Sequence, residues 1–335
     1  MQLTPHRAEL VLEALQLREF GYTQQQIADT LSTPAEEVPQ QTISYWLKHF
    51  GNGTIGDVGK YTRLTNRDEG SSTNIKPLPI TLFPCKYEEL DGQIPSGSID
   101  LILTDPPYLV SSGNMSRSNQ ADLQRDFGDW DNISQVEYEK SVSIWATLMA
   151  KQLKEGGSLY LFIGYRQSFL WSRALEQAGL SYNGILIWHR TNPAPQIRKT
   201  RWCPAFDMIL FYSKGTPHTF RWVGQNEMHS VIRCGNPEIE GVWAGGICAG
   251  DEREGHWHPT QKPRWLLTKL IFVGSIGGAS ILDPFAGSGS TAFASLHLPE
   301  LRQITLIEPE PQYVGLIQSV AKKEFECQVI LKRNG

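Results

Sequence analysis

Residues 281–291 read ILDPFAGSGST, and their pattern indicates the fold class of the chain. A short apolar run reaches Asp283, a turn with Gly287 and Gly289 follows, and a helical pattern begins at Thr291. A strand, a glycine turn and a helix in this order form the βα unit of an open parallel sheet, with the turn at the carboxyl edge. Glycine has no Cβ, so the backbone of the turn can approach a ligand closely. The stretch therefore predicts an α/β fold with a ligand site after this strand.

Strands and helices alternate on both sides of this turn. Strands are predicted at 98–103, 158–163, 184–188, 208–212, 280–282 and 303–307, and helices at 138–153, 166–178 and 262–273. Such alternation predicts a mostly parallel sheet with helices on both faces. Residues 79–83 and 328–332 are both candidates for the strand beside 303–307, and the sequence alone does not separate them.

An acid follows the next strand after the glycine turn. Glu308 comes directly after residues 303–307, about twenty residues beyond the glycines, where a carboxylate can accept hydrogen bonds from both ribose hydroxyls of a nucleoside. A solvated acid at a strand end is the alternative. The chain has no G-x-x-x-x-G-K-[ST] loop, so a phosphate-rich nucleotide is not indicated. The pattern favours a cofactor that contains adenosine but no phosphate.

A second strand stops at Asp105-Pro106-Pro107-Tyr108. Proline cannot donate to a β ladder, so the two prolines end the strand and fix the backbone that follows. The Asp105 carboxylate and a fixed carbonyl are hydrogen-bond acceptors, and the Tyr108 ring offers a flat surface for stacking. A match to these four residues arises by chance about once in a thousand chains of this length. The stretch is suited to holding a ligand.

Together, DPPY at 105–108 and DPFAGSGST at 283–291 resemble the amino-methyltransferases that use S-adenosylmethionine and act on exocyclic amines of DNA bases. HPTQKP at 258–263 is similar to the family's segment before the cofactor turn. DPPY precedes the FxGxG-type motif, which is the order of the permuted class. The resemblance covers about residue 77 to the C-terminus and implies a Rossmann-like methyltransferase fold, with adenine-N6 or cytosine-N4 as the target amine.

The resemblance also implies roles for particular residues. Asp105 and the Pro106 carbonyl would accept hydrogen bonds from the target NH₂, and Tyr108 would stack on a base taken out of the duplex. Asp at the first motif position favours adenine, while cytosine-N4 relatives more often have Ser there. The predicted catalytic residues are Asp105, Pro106, Pro107 and Tyr108. The predicted cofactor-binding residues are Asp283, Phe285, Gly287, Ser288, Gly289, Ser290, Glu308, Thr260 and Lys262, of which the last two would reach the methionine end.

The charge distribution suggests where DNA binds. The net charge is −4, but between residues 186 and 233 seven basic residues less two acidic ones give +5. The predicted DNA-binding residues are Arg190, Arg198, Lys199, Arg201 and Arg221. A polar and aromatic segment at about 213–257 is the predicted target-recognition segment, and the loop at 109–129 would close over the flipped base. For any single arginine, a solvated charged face is the alternative.

Residues 1–50 predict a small all-helical domain. Thr23 and Gln26 form a capping-box pattern, after which Ile27, Ala28 and Leu31 fall on one helical face. The segment resembles a helix-turn-helix, but its net charge of 3 basic less 6 acidic residues, −3, equally fits a packing or dimerisation unit. Residues 51–76 read as a linker, and 77–335 as the methyltransferase domain.

Composition restricts the remaining classes of function. Five cysteines without a C-x-x-C spacing indicate a reducing cytoplasm, and no metal site is predicted, because Cys234, Cys248, His256 and His258 lack paired ligand spacing. Neither a secretion signal nor a membrane span is indicated. The expected partner is double-stranded DNA, and the resemblance is compatible with a homodimer and a cognate restriction nuclease. The rival functions are a catalytically inactive DNA-binding regulator and methylation of a protein amide, for which an N-P-P-Y form is usual.

Overall fold

Two compact units make up the chain. The larger contains the sheet from Pro77 onward, and the smaller contains helix α1 (Gln24–Leu31). The computed structural model describes residues 14, 18, 23–32, 77–90, 92–108, 134–190, 200, 202–203, 205–222, 228–232, 261–298 and 300–332.

A single mixed sheet forms the centre of the larger unit. Over the described residues its nine strands are β1 (Ile80–Phe83), β2 (Ile99–Thr104), β3 (Leu153–Ile163), β4 (Ser181–His189), β5 (Phe206–Ser213), β6 (Val231–Ile232), β7 (Ser280–Asp283), β8 (Gln303–Ile307) and β9 (Val329–Leu331). Their order is β6-β4-β5-β3-β2-β7-β8-β1-β9. β5 runs antiparallel to both neighbours, and every other neighbouring pair is parallel. The predicted mostly parallel sheet is confirmed.

Helices cover both faces of this sheet. They are α2 (Gln135–Gln152), α3 (Ser168–Gln177), α4 (Arg264–Gly274), α5 (Ser290–Leu296) and α6 (Pro311–Phe325), with a 3₁₀ helix at Tyr87–Leu90. Ile102 of β2 belongs to a buried cluster with Trp145 of α2 and Trp171 of α3. The preceding residue, Leu101, lies against Gly274 of α4. Because successive strand side chains point to opposite faces, α2 and α3 cover one face and α4 the other. The predicted α/β architecture is confirmed.

The strand beside β8, which the sequence left open, is β1. Thr81 pairs with Thr305 of β8, and on its other side with Ile330 of β9. Both candidate segments are therefore strands, and residues 80–83 are the inner one. Their order places Glu308, which follows β8, between the ends of β1 and β7.

Helix α1 has the predicted start. Thr23 Oγ1 accepts a hydrogen bond from the Gln26 backbone N at 3.2 Å, and the Thr23 backbone N donates to Gln26 Oε1 at 2.9 Å. Ile27, Ala28 and Leu31 are buried. The other predicted helices of residues 1–50, and the linker at 51–76, lie outside the described residues, so the helix-turn-helix stays a prediction.

Among the helices that the structure describes, none combines the length and apolarity needed to cross a membrane.

Candidate active site

The two motif-bearing strands are neighbours in the sheet. β2 pairs in parallel with β7, with Leu101 opposite Ile281. At the strand ends Thr104 Oγ1 donates to Asp283 Oδ1 at 2.6 Å, and both side chains are buried. Residues 105–108 and the glycine turn therefore leave the same edge of the sheet, although 179 positions separate the two bonded residues.

The turn after β7 has a backbone that glycine adopts readily. Gly287 has φ 50° and Gly289 has φ 79°, both in the left-handed region. Asp283 Oδ1 also accepts a hydrogen bond from the Phe285 backbone N at 3.2 Å, which holds the start of the turn. A Cβ on Gly289 would lie 2.8 Å from Ile317 Cγ1 of α6. The turn is thus fixed closely against the strand and the helix behind it.

Glu308 closes the other side of this turn. Its Oε2 accepts a hydrogen bond from the Gly287 backbone N at 2.7 Å, and its Oε1 accepts one from the Glu310 backbone N at 2.9 Å. Burial raises the pKa of Glu308 to about 7, and burial likewise raises the pKa of Asp283 to about 6. A carboxylate has about four lone-pair sites, so Glu308 keeps acceptor capacity for ribose hydroxyls. A buried acid beside a glycine turn fits a nucleoside cofactor.

Two hydrogen bonds hold the Asp105 carboxylate. The Tyr108 hydroxyl donates to Oδ1, and the Lys262 ammonium donates to Oδ2. Lys262 is 7% exposed, and its Nζ lies 5.8 Å from the centroid of the Tyr108 ring. Burial, followed by the charge of Asp105, raises the pKa of Tyr108 well above its usual value, so the hydroxyl stays a donor. Lys262 was predicted to reach the methionine end of a cofactor; in the structure its ammonium contacts the aspartate of DPPY, and the cofactor contact stays a prediction.

Helices α2 and α3, which cover the face of the sheet opposite α4, hold the backbone of DPPY. The Tyr138 hydroxyl donates to the Pro107 carbonyl at 2.9 Å and accepts a hydrogen bond from Trp171 Nε1 at 3.2 Å. Burial raises the pKa of Tyr138 to about 12, so this hydroxyl also stays protonated. The Pro107 peptide is thereby fixed, and with it the neighbouring Pro106 carbonyl.

Three residues of this region were missed by reasoning from the sequence: Thr104, Tyr138 and Asp207. Asp207 is the second residue of β5, and its Oδ2 lies 3.8 Å from Arg190 Nε. An acid inside the apolar run FDMILFYS was a signal that could have revealed Asp207. Thr104 and Tyr138 carried no comparable signal, because a threonine at a strand end and a tyrosine in a helix are ordinary.

The structure brings together most of the predicted site that it describes. Pro106 is buried, Pro107 and Tyr108 are partly buried, and Ser288 and Ser290 are buried within the turn. Phe285 packs edge-on against Trp145 of α2, with ring centroids 4.9 Å apart. Arg190 follows the last residue of β4. Because β4 runs parallel to β3, Arg190 lies at the edge of the sheet from which DPPY leaves β2.

Arg221 lies at the edge of the sheet away from DPPY. β5 ends at Ser213 opposite Ser158, near the start of β3, so the chain that follows lies at the amino edge of the sheet. There Arg221 Nη2 donates to Glu300 Oε2 at 2.7 Å, and its guanidinium lies 4.7 Å from the centroid of the Phe272 ring. An antiparallel strand thus carries residues 213–221 to the edge of the sheet away from DPPY. The DNA-binding role predicted for Arg221 and the target-recognition role predicted for residues 213–221 stay predictions, which a DNA-binding measurement would test.

Other predicted residues lie outside the described part of the chain. They are Thr260, Arg198, Lys199, Arg201, the loop at 109–129, residues 223–227 and 233–257 of the target-recognition segment, and the weighed metal ligands Cys234, Cys248, His256 and His258.

Comparison with known proteins identifies the family. Residues 99–319 match the sequence model of the N6/N4-type DNA methylases. The chain belongs to this family. The methylase is also 30% identical over 232 residues to the Type II methyltransferase M2.DpnII of Streptococcus pneumoniae, a match that covers 69% of this chain and 84% of the relative. The predicted resemblance to DNA amino-methyltransferases is confirmed.

Solved structures share the fold of the methylase. The M1.HpyAVI–SAM complex is similar with a TM-score of 0.52 and 21% identity, covering 72% of this chain and 98% of that one. The cytosine-N4-specific PvuII DNA methyltransferase is similar with a TM-score of 0.55 and 19% identity, covering 77% and 96%. At this level of identity the likeness concerns the fold, and it supports a Rossmann-like methyltransferase domain.

Proposed function

We propose that this methylase transfers a methyl group from S-adenosylmethionine to the N6 amine of adenine in duplex DNA, with the target base flipped out of the helix. The observation that carries the proposal is the hydrogen bond of 2.6 Å between Thr104 Oγ1 and Asp283 Oδ1. It joins the end of the strand that bears DPPY to the end of the strand that bears the glycine turn. An amine held by one motif would therefore lie beside a cofactor held by the other.

Membership of the DNA methylase family and the solved SAM complex of M1.HpyAVI support S-adenosylmethionine as the cofactor. Bound there, it would supply a methyl group activated by its attachment to a sulfonium. Glu308 would accept hydrogen bonds from the ribose hydroxyls, and the glycine turn would let the backbone approach the nucleoside. Phe285, held edge-on by Trp145, would present an apolar ring to it.

The chemistry of the amine explains the acceptors of DPPY. The lone pair of an exocyclic amine is delocalised into the ring, which makes the nitrogen a poor nucleophile. Hydrogen bonds from the two N–H groups to Asp105 and to the Pro106 carbonyl would favour a tetrahedral nitrogen with its lone pair directed at the methyl group. When the N–C bond forms, the C–S electron pair stays on sulfur and the nitrogen becomes cationic. Asp105 is the nearby base that would accept the excess proton.

The surrounding residues would keep these acceptors in place. The bond from the Tyr138 hydroxyl to the Pro107 carbonyl fixes the peptide next to the Pro106 acceptor. Tyr108 would stack on the flipped base, as aromatic side chains do in enzymes that extrude a base. Arg190 lies at the same edge and would contact a phosphate beside the target.

The choice of adenine rests on Asp105. Relatives that methylate cytosine-N4 more often have Ser at the first position of the motif, so the aspartate favours adenine. The resemblance of the fold to a cytosine-N4-specific enzyme does not distinguish the two bases, because one fold supports both amine acceptors.

The decisive experiment identifies the methylated base. The purified protein is incubated with unmethylated duplex DNA and S-adenosylmethionine bearing a labelled methyl group, and the DNA is digested to nucleosides for mass spectrometry. We expect labelled N6-methyldeoxyadenosine. Labelled N4-methyldeoxycytidine would transfer the assignment to cytosine, and DNA binding without labelled product would indicate an inactive regulator.

Two variants would separate the two halves of the site. Asp105→Ala should abolish methyl transfer while cofactor affinity changes less than about twofold, and Gly287→Val should weaken cofactor binding because a β-branched residue is strained at φ 50°. Asp100→Asn is the matched control, because Asp100 also pairs with a lysine, Lys154 at 2.7 Å. Asp100 is the second residue of β2 and lies at the end of the strand away from the site. This variant should keep the transfer rate of the folded enzyme.

A further inference from the structure

Lys262 lies among acidic and aromatic groups that come from separate strands. Its ammonium donates to Asp105 after β2, and its Nζ lies 5.2 Å from the ring centroid of Phe162 in β3 and 5.8 Å from that of Tyr108. Aromatic faces attract a cation that has lost its water, and Lys262 is 7% exposed. The ammonium is therefore kept in a largely dry site next to the proposed amine acceptor.

Asp207 reaches the same edge because β5 is antiparallel. Met208 pairs with Ile163, the last residue of β3, so the first residues of β5 lie where β3 ends. This edge also carries Asp105, because β2 is parallel to β3 and Thr104 pairs with Leu161. The two acids are thus attached to strands on either side of β3.

Asp207 also faces the side of the sheet from which Lys262 approaches. Phe211, four residues along β5, stacks on Tyr160 with ring centroids 4.7 Å apart, and Tyr160 contacts the α4 residue Gly274. Side chains two and four residues apart in a strand share a face, so Asp207 points to the α4 side. Lys262 lies two residues before the start of α4.

The resting arrangement poses an electrostatic problem for the reaction, if the proposed function is right. Methyl transfer places positive charge on the amine nitrogen, and an ionised Asp105 would stabilise that charge. An ammonium bonded to the same carboxylate largely cancels its negative charge and also repels the cationic nitrogen. The reaction would proceed more easily with Lys262 directed elsewhere.

We propose that Asp207 is a positioning residue that takes over the ammonium of Lys262 when the target amine binds to Asp105. A transfer from one acid to the other would keep the charge of Lys262 paired and would keep its ammonium near the rings of Phe162 and Tyr108. Arg190, 3.8 Å from Asp207, holds the acceptor carboxylate at the edge. This inference rests on the proposed function, since it concerns the same amine and the same Asp105.

The titration behaviour of Asp207 agrees with this arrangement. Burial raises its pKa, while the positive charges of Lys262 and then Arg190 lower it and the negative charge of Asp105 raises it. Asp207 is therefore close enough to Lys262, Arg190 and Asp105 to be influenced by their charges. Displacing Lys262 from Asp105 toward Asp207 would therefore increase the negative charge felt by an amine at Asp105.

A double-mutant cycle tests the proposal with single-turnover methyl transfer at saturating DNA and cofactor. Asp207→Asn keeps the size of the side chain and removes its charge, and we expect the rate to fall about tenfold or more with cofactor affinity changed less than about twofold. In a Lys262→Met background the same substitution should lower the rate less than about twofold, because Asp207 acts through Lys262. Asp207→Glu, which keeps the charge, should restore part of the rate. Asp100→Asn serves as the control.

A normal rate for Asp207→Asn, or an equal loss in both backgrounds, would overturn the proposal. A structure of the wild-type enzyme with S-adenosylhomocysteine and a substrate duplex is the second measurement, and it does not depend on how any variant folds. We expect Lys262 Nζ within hydrogen-bond distance of an Asp207 oxygen, and an ammonium that stays bonded to Asp105 and makes no bond to Asp207 would refute the transfer. If the wild type transfers no methyl group to DNA, the proposed function itself is wrong; if it does and the cycle is additive, only the role of Asp207 is lost.

Discussion

Cofactor affinity should rise with pH, because Glu308 must be ionised to act fully as an acceptor for ribose hydroxyls. A protonated carboxyl group turns one of its two oxygens into a donor and weakens the other as an acceptor. Burial raises the pKa of Glu308 to about 7, against the two backbone N–H groups that lower it. The acids that face Glu308 are Glu310 and Asp283, and their negative charges contribute to this rise after burial.

The size of the effect follows from this pKa. With a pKa of about 7, roughly a tenth of the molecules carry an ionised Glu308 at pH 6 and roughly nine tenths at pH 8. If the ionised form alone binds, affinity for S-adenosylmethionine rises about tenfold across this range. Asp283, whose pKa burial raises to about 6, is about half ionised at pH 6 and would add up to about twofold.

The stability of the cofactor-free protein should change in the opposite direction. The folded-state pKa of Glu308 lies above its ordinary value of 4.5, so the folded state binds more protons than the unfolded state between these values. Its contribution to stability is complete below pH 4.5 and is lost as pH rises through about 7. The thermal shift caused by a fixed excess of cofactor should therefore be larger at pH 8 than at pH 6.

Isothermal titration calorimetry at pH 6, 7 and 8 measures the affinity. Glu308→Gln should bind the cofactor more weakly at pH 8 and should keep only the twofold change expected from Asp283. Glu310→Gln is the matched control, because it removes a neighbouring charge and should retain the rise at a slightly lower pH. An affinity in the wild type that does not change with pH, or an unchanged tenfold rise in Glu308→Gln, would mean that ionisation of Glu308 does not control cofactor binding.

Of two further predictions, one concerns the hydrogen bond that joins the ends of β2 and β7, and the other concerns the residues that bind DNA. Thr104→Val removes the donor to the buried Asp283 carboxylate and should lower the free energy of unfolding by about 1.5–3 kcal/mol in urea denaturation. Thr147→Val, at an exposed position of α2, should cost less than about 0.5 kcal/mol, and equal costs would mean that the join is not stabilising. Arg190→Gln should weaken binding to duplex DNA and reduce the slope of log affinity against log salt by about 0.9, whereas Arg221→Gln should leave both unchanged. A loss of affinity in Arg221→Gln alone would reverse our placement of the DNA surface.

Several elements were predictable from sequence because their causes are local. The strand, glycine turn and helix at 280–296 lie where the pattern put them, since left-handed φ values at Gly287 and Gly289 suit no other residue as well. The capping box at Thr23 likewise marked the start of α1. β3, however, begins at Leu153 rather than at Ser158, because its first residue pairs with Ile99 of β2, a partner that no local pattern reveals.

The roles of charged residues were harder to predict, because charge carries no information on which edge of a sheet a residue occupies. Arg190 and Arg221 belong to the same basic stretch of sequence, yet the first lies near DPPY and the second is paired with Glu300 at the far edge. The reversal of direction in β5 separates them. Lys262 was associated with the glycine turn by its neighbours in sequence, and its contact with Asp105 depended on where the segment before α4 packs.

The motifs, their order and the chemical groups that they offer can be read from the amino-acid sequence, because proline, glycine and alternating apolar residues restrict the backbone over a few positions. Tertiary packing made β2 and β7 neighbours, joined their ends through Thr104, and brought Asp207 and Lys262 to the same edge of the sheet. Strand order and direction depend on packing summed over the whole sheet, so contacts between residues more than a hundred positions apart are settled there and not by any short segment.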